Sequence, residues 1–179
     1  QLHVVNGWQN ISENNRSKAV GARVDYAVSP ALTLSYGNFI GNEQPVGTPR
    51  ATRVFNQVMA KGTLPTGTLM QGQVDLGDQD GQRWYGLVAI ARHPLRDRVA
   101  LNGRIERFAD PDQVIISTGT PRPLTGNGAS AGVDVTLDSG VQWRSEFRVL
   151  RTTDAVFETH TGSRSRNARL LVTSLSMAF

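Results

Sequence analysis

The sequence predicts an all-β chain, an antiparallel up-and-down transmembrane β-barrel of about ten strands, treated as one domain over residues 1–179. Three observations predict it. Apolar and polar residues alternate with period two from one end of the chain to the other. The connections between alternating segments are short and long in turn. The polar face is built from paired arginine and acid with Gly, Ser, Thr and Gln, unlike the Lys/Glu-rich surface of a soluble domain.

The first strand covers Leu2 to Trp8. From Lys18 to Ser29, Val20, Ala22, Val24, Tyr26 and Val28 share one face, and Ala19, Gly21, Arg23, Asp25 and Ala27 the other. A helix would mix these sets. Leu32, Leu34, Tyr36 and Ile40 oppose Thr33, Ser35 and Gly37 in the next segment. Arg50 to Lys61 is mixed, with Val54 and Val58 against Phe55 and Met59. Met70, Gly72, Val74 and Leu76 oppose Gln71, Gln73 and Asp75, whereas Trp84 to His93 is apolar on both faces. Val99, Leu101, Gly103 and Ile105 oppose Ala100, Asn102, Arg104 and Glu106. Ala131, Val133, Val135 and Leu137 oppose Gly132, Asp134 and Thr136. Val141, Trp143, Phe147 and Val149 oppose Gln142, Arg144, Glu146 and Arg148. The last strand sets Leu171, Thr173, Leu175, Met177 and Phe179 on one face.

Turn chemistry marks the short connections: Ser29-Pro30-Ala31, Leu64-Pro65-Thr66-Gly67, His93 to Asp97, and Asp138-Ser139-Gly140. Long polar connections are expected at Asn10–Ser17, Asn42–Pro49, Gly77–Arg83, Ala109–Asn127 and Thr153–Asn167. Tight turns at one end and long loops at the other are the mark of a barrel of hairpins, not of Greek-key sandwiches.

Alternation alone does not say which face is buried, and a soluble lipocalin-like barrel shares it. Strands of roughly 9–12 residues match the tilted length that spans a bilayer. Aromatics near strand ends fit interface girdles: Tyr26, Trp143 and Phe179 at the short-turn end, Trp8 and Trp84 at the long-loop end. The aromatic share of 7 % is low for such a barrel.

Composition excludes other classes. No cysteine is present, so disulfide scaffolds and thiolate metal or redox sites are out. Arginine supplies all of the 19 basic residues except Lys18 and Lys61. It is interleaved with acids and forms no basic run, which argues against nucleic acid as a partner. No apolar run reaches the roughly 20 residues of a membrane helix.

Further residues carry a resemblance. "VGARVDYAVSPALTLSYGNFIGNE", Val20 to Glu43, resembles the strand–turn–strand of the OmpL-like beta-barrel porin-2 family. "SGVQWRSEFRVLRTTDAVF", Ser139 to Phe157, is similar to its next-to-last strand, with an Arg-x-Glu-x-Arg core at Arg144, Glu146 and Arg148. "NARLLVTSLSMAF", from Asn167, is similar to its last strand. Leu175, Met177 and Phe179 also resemble the C-terminal signature read by the barrel-assembly machinery of bacterial outer membranes. The resemblance implies a Gram-negative outer-membrane location and two sizes: a closed ten-stranded barrel or the C-terminal part of a larger one. The partners it implies are the lipid bilayer, lipopolysaccharide and that machinery.

The constellation expected inside the barrel is Arg23, Asp25, Arg104, Glu106, Asp134, Arg144, Glu146 and Arg148. Residues i and i+2 share a strand face, so Arg144-Glu146-Arg148 forms a vertical ladder. Two readings stay open. These residues line a pore whose arginine excess attracts anions, making a porin-like channel for small polar or anionic solutes. Alternatively, mutually satisfied charges close the interior, leaving a structural or interaction protein that works through its outer loops. An outer-membrane hydrolase is a third reading, resting only on His160 near Asp154 and Glu158; His3 and His93 complete the histidines. The chain is expected to be no enzyme and to need no cofactor or metal. Gly128-Ala129-Ser130-Ala131-Gly132 matches the nucleophile elbow, but that motif needs a turn and a helix, and a strand pattern follows here. Asp75, Asp78, Asp80 and Gly81 lack calcium-loop spacing and read as an acidic turn.

Overall fold

The computed structural model describes residues 1–8, 15–138 and 140–177. Ten strands form one antiparallel sheet in chain order: β1 Leu2–Val5, β2 Ala19–Ser29, β3 Leu32–Asn42, β4 Thr52–Thr63, β5 Leu69–Gln79, β6 Gln82–Arg96, β7 Val99–Asp110, β8 Leu124–Asp138, β9 Val141–Thr152 and, after a small hairpin, β12 Asn167–Met177. The hairpin pairs β10 Phe157–Glu158 with β11 Arg164–Ser165. No helix occurs among the described residues. Every neighbour in the sheet is the next main strand in sequence, so the topology is up-and-down throughout.

The sheet is not closed among the described residues: β1 pairs only with β2, and β12 only with β9. β1 contributes four residues where its neighbour β2 has eleven. Asn10–Asn14 in the first long connection, Ser139 in a short turn and the expected terminal Phe179 lie outside the described residues.

Register fixes the faces. Arg23 stands opposite Gly37 and Asp25 opposite Ser35. Glu106 stands opposite Gly128, and Ser130 opposite Arg148. Because strand side chains alternate, all eight predicted charges fall on one face. The opposite face carries exposed apolar side chains from edge to edge, among them Val24, Ile105, Phe147 and Leu171. Most of the covered strand residues lie on the charged side, Asp134 and Asp110 among them. Side chains two strands apart meet on that side, so it is the concave one. A charged, covered interior beneath an exposed aliphatic exterior inverts the soluble pattern.

The strands form where β-branched and aromatic residues take every second position, as in Val20, Val24, Tyr26 and Val28 of β2. Register shifts sit beside tight turns, between Ala27 and Ser29, Pro94 and Arg96, and Thr136 and Asp138. Pro94, which has no N–H to give the ladder, falls at one of them.

Three expectations are corrected. Gly77–Arg83 is no long connection. β5 runs to Gln79 and β6 starts at Gln82, joined by Asp80 at φ 52° and Gly81 at φ 86°. Positive φ at both central residues is the geometry a two-residue hairpin demands. The Asp78 Oδ1 accepts the Gly81 N–H at 3.0 Å and the Asp80 Oδ1 accepts the Thr52 N–H at 3.1 Å, so the acids cap the turn. The connection before β8 also shrinks, to residues 111–123, because the small residues of Gly126 to Ala131 extend that strand toward the loop end.

Third, Trp8 and Trp84 are not outward girdle residues. Trp84 lies on the concave face over Gly77, where any added Cβ would fall within the indole. The Arg53 guanidinium stacks 5.5 Å from its ring centre. The Trp8 ring packs edge-on against Phe39 and Phe55 at 5.2 and 4.3 Å. Glu43 joins this cluster by accepting the Trp8 N–H at 2.9 Å. Burial against neighbouring aromatics and a cation outweighs an interface position here. Tyr26 and Trp143 do sit on the outer face near the short turns, and the Trp143 indole N–H donates to Thr173 at 2.7 Å.

Candidate functional site

The concave face of β6 to β9 carries two sets of charges, each with two arginines on one carboxylate. In the first, Arg104 Nε donates to Glu106 Oε2 at 2.9 Å. The other oxygen, Oε1, accepts from Arg148 Nε at 2.9 Å. Arg148 stands on β9 and Glu106 on β7, so the contact passes over β8. Gly128 lies between them, and a Cβ there would collide with the Glu106 carboxylate and with Leu150.

In the second set, Arg92 Nε reaches from β6 to Asp134 Oδ2 on β8 at 2.8 Å. Asn102 donates to Oδ1 at 2.9 Å, and Arg144 Nε stands 3.7 Å from the same oxygen. Gly132 provides the space, since a Cβ there would lie 2.6 Å from Asn102 Oδ1. Asp134 is almost fully covered while Arg144 is 57 % exposed. A smaller set on β2 and β3 joins Arg23 Nη2 to Asp25 at 2.8 Å, with the Ser35 hydroxyl donating to the same carboxylate.

The vertical ladder of β9 is therefore not formed. Arg144 and Arg148 turn to carboxylates on other strands, and Glu146 makes no hydrogen bond or ion pair among the described residues. A planar guanidinium holds a carboxylate through fixed, charge-assisted bonds, made here both along a strand, Arg104 to Glu106, and across strands, Arg148 to Glu106. Sequence reading missed Arg92 and Asn102. Arg92 stands on β6, which is apolar on both faces, so its face is not legible from period alone; Asn102 stands on β7, on the face of Arg104 and Glu106. The glycines of the elbow-like motif, Gly128 and Gly132, lie within β8; they give side chains from flanking strands room to cross.

At the long-loop end the Glu106 set opens into a recess of about 720 Å³ between the sheet and two loop segments. Residues 111–123 form one. Asp110, wholly covered, organises them by accepting the N–H groups of Val114, Ile115 and Ile116 at 2.8–2.9 Å. Gln113 adds bonds to Thr118 N–H at 2.8 Å and to the Thr120 carbonyl at 2.7 Å. The β10–β11 hairpin forms the other cover, with Phe157 and Arg164 at the recess. Among the residues considered for hydrolysis, Asp154 faces Arg122 at 3.6 Å, and His93 lies on β6 with Nδ1 2.8 Å from Thr68 Oγ1.

A sheet of hairpins with aliphatics outside and arginine–carboxylate sets inside is the pattern of a membrane β-barrel. The family model described as putative beta-barrel porin-2, OmpL-like, matches residues 1–179, the whole chain. The chain belongs to this porin family. No curated protein and no solved structure matches it. In beta-barrel porin-2 terms, the exposed face of Val24, Ile105, Phe147 and Leu171 is the membrane-facing one, and a porin-like role follows for the chain.

Proposed function

We propose that the chain forms a passive channel in a bacterial outer membrane, admitting small polar solutes with a preference for anions. The observation that carries this reading is the two-to-one ratio of arginine to carboxylate at Glu106 and at Asp134. Each set holds one more guanidinium than carboxylate, with Glu146 the remaining acid of β9 on the same face. Arginine does not lose its proton at any physiological pH, so the field persists. Fixed charges lining a water path select by sign.

The predicted charges Arg23, Asp25, Arg104, Glu106, Asp134, Arg144, Glu146 and Arg148 are, on this reading, the lumen lining. Lipid and lipopolysaccharide cover the aliphatic face. Leu175, Met177 and Phe179 serve insertion by the assembly machinery and take no part in transport. The chain catalyses nothing.

Conductance tests the proposal. The chain, refolded and inserted in a planar lipid bilayer under a salt gradient, should give steady current with a reversal potential on the chloride side. A silent bilayer supports the second reading, a plugged barrel acting through its loops. The specific observation in its favour is the anchoring of residues 111–123 over the concave face by Asp110 and Gln113.

A further inference from the structure

The recess at the long-loop end is not uniformly polar. Its sheet side holds Arg104, Glu106 and Arg148, and beside them Phe108, Leu124 and Leu150. Its loop side adds Ile116, Val156 and Phe157, with Arg164. A volume of about 720 Å³ falls in the range of small-molecule sites. Such sites combine an apolar wall with a few convergent polar groups.

Charge count defines the polar part. Arg104 and Arg148 divide one carboxylate between them, using both of its oxygens. Their side chains remain 37 % and 33 % exposed, so each guanidinium has N–H groups free for another acceptor. Arg164 makes no side-chain hydrogen bond or ion pair among the described residues. Asp75 also borders the recess, but its oxygens already accept the amides of Gln57 and Gln73 at 2.9–3.1 Å. Arg107 and Arg151 also border it, but register places their side chains on the outer face, where Arg107 bonds Tyr85 and Asn127. Arg104, Arg148 and Arg164 against Glu106 and Asp75 leave the recess lining an excess of one positive charge.

We propose that this recess binds an organic monocarboxylate with an apolar tail. Its carboxylate completes the hydrogen bonding of Arg104 and Arg148 with Arg164 at the loop side. Its tail lies against Phe108, Ile116 and Phe157. The inference rests on the channel reading for its role, as the solute's resting place on the way through, but its binding chemistry stands without current.

Titration calorimetry of the refolded full chain in detergent, with blank micelles subtracted, tests the inference. Hexanoate should bind saturably. Acetate, which lacks the tail, should bind at least tenfold more weakly, and hexylammonium, which reverses the charge, should show no saturable binding. Phe157→Gln, on a hairpin outside the main sheet, should weaken hexanoate about tenfold and leave acetate unmoved. Arg164→Gln, also outside the sheet, should weaken both. Equal affinities for hexanoate and acetate, or binding of hexylammonium as strong as that of hexanoate, would overturn the proposal. Bilayer recordings of the same preparation separate the two readings. Current without hexanoate binding sinks the site and spares the channel; hexanoate binding without current does the reverse.

Discussion

Arg148 on β9 donates to Glu106 on β7 across the bare backbone of Gly128 on β8. One contact thus ties three strands together on the concave face. The missing side chain in the middle is as necessary to it as the two charges at its ends.

Gly128→Val should therefore destabilise the barrel by about 1–3 kcal/mol through overpacking against Glu106 and Leu150. Gly72→Ala is the control, because a Cβ at Gly72 meets nothing within 4 Å. It should fall within about 0.5 kcal/mol of the wild type. Urea unfolding in lipid vesicles measures both. Equal midpoints for the two variants would refute the crossing role of Gly128.

The outer face can be tested at mid-strand. Ile105, 65 % exposed near the middle of β7, should cost about 2–4 kcal/mol when changed to Arg, and Val135, nearer a short turn, should cost less. The same vesicle titration applies, and an Ile105→Arg variant as stable as wild type would place that face in water.

Selectivity should follow the looser arginine. Arg144 is more than half exposed and stands 3.7 Å from Asp134, so Arg144→Glu should keep the fold and lower the chloride-to-sodium permeability ratio on the order of twofold. Arg148→Glu would set a second carboxylate against Glu106 and should destabilise by about 2 kcal/mol. Reversal potentials and heat-modified gel mobility read the two effects. An unchanged ratio in a conducting Arg144→Glu variant would remove this arginine from the solute path.

Asp110→Ala should release residues 111–123 without unfolding the sheet. Hydrogen exchange at Val114, Ile115 and Ile116 should quicken on the order of a hundredfold with the loss of bonds to a charged acceptor. Thermolysin, which cuts before aliphatic residues, should then cut within Val114–Ile116 sooner than in the wild type. Unaltered exchange at these three amides would show that something else holds the loop.

Deletion of Phe179 should lower the amount of chain assembled in the outer membrane while molecules that do assemble conduct as before. Wild-type levels of assembled protein in the deletion strain would remove the terminal aromatic from the insertion step.

Much of the architecture was legible because alternation is strict where β-branched residues carry it. The faces of β2, β3, β7, β8 and β9 follow directly from Val20 to Val28, Leu32 to Ile40, Val99 to Glu106, and Ala131 to Val149. The β5–β6 turn was hidden because polar residues surround Asp80-Gly81 on both sides and read as loop, although that dipeptide is itself a strong hairpin signal. Charge pairing was legible in kind but not in partner. The same-strand neighbours Arg144 and Glu146 share a face, yet glycine gaps on β8 let distant carboxylates compete successfully for the guanidinium groups. Trp8 and Trp84 show the limit of reading aromatics from strand ends, since position along a strand says nothing of which side a ring takes.

The tight Asp80-Gly81 turn also shapes the mouth. Residues 43–51, 111–123 and the β10–β11 segment make long connections, whereas β5 and β6 are joined by two residues directly beyond their last paired residues, Gln79 and Gln82. The rim is thus notched on one side. Gln73, Asp75, Gly86 and Val88, on the two strands below that notch, border the charged recess. On the channel reading proposed above, a solute from outside would reach Arg104 and Arg148 from the β5–β6 side, where no long connection stands over the recess.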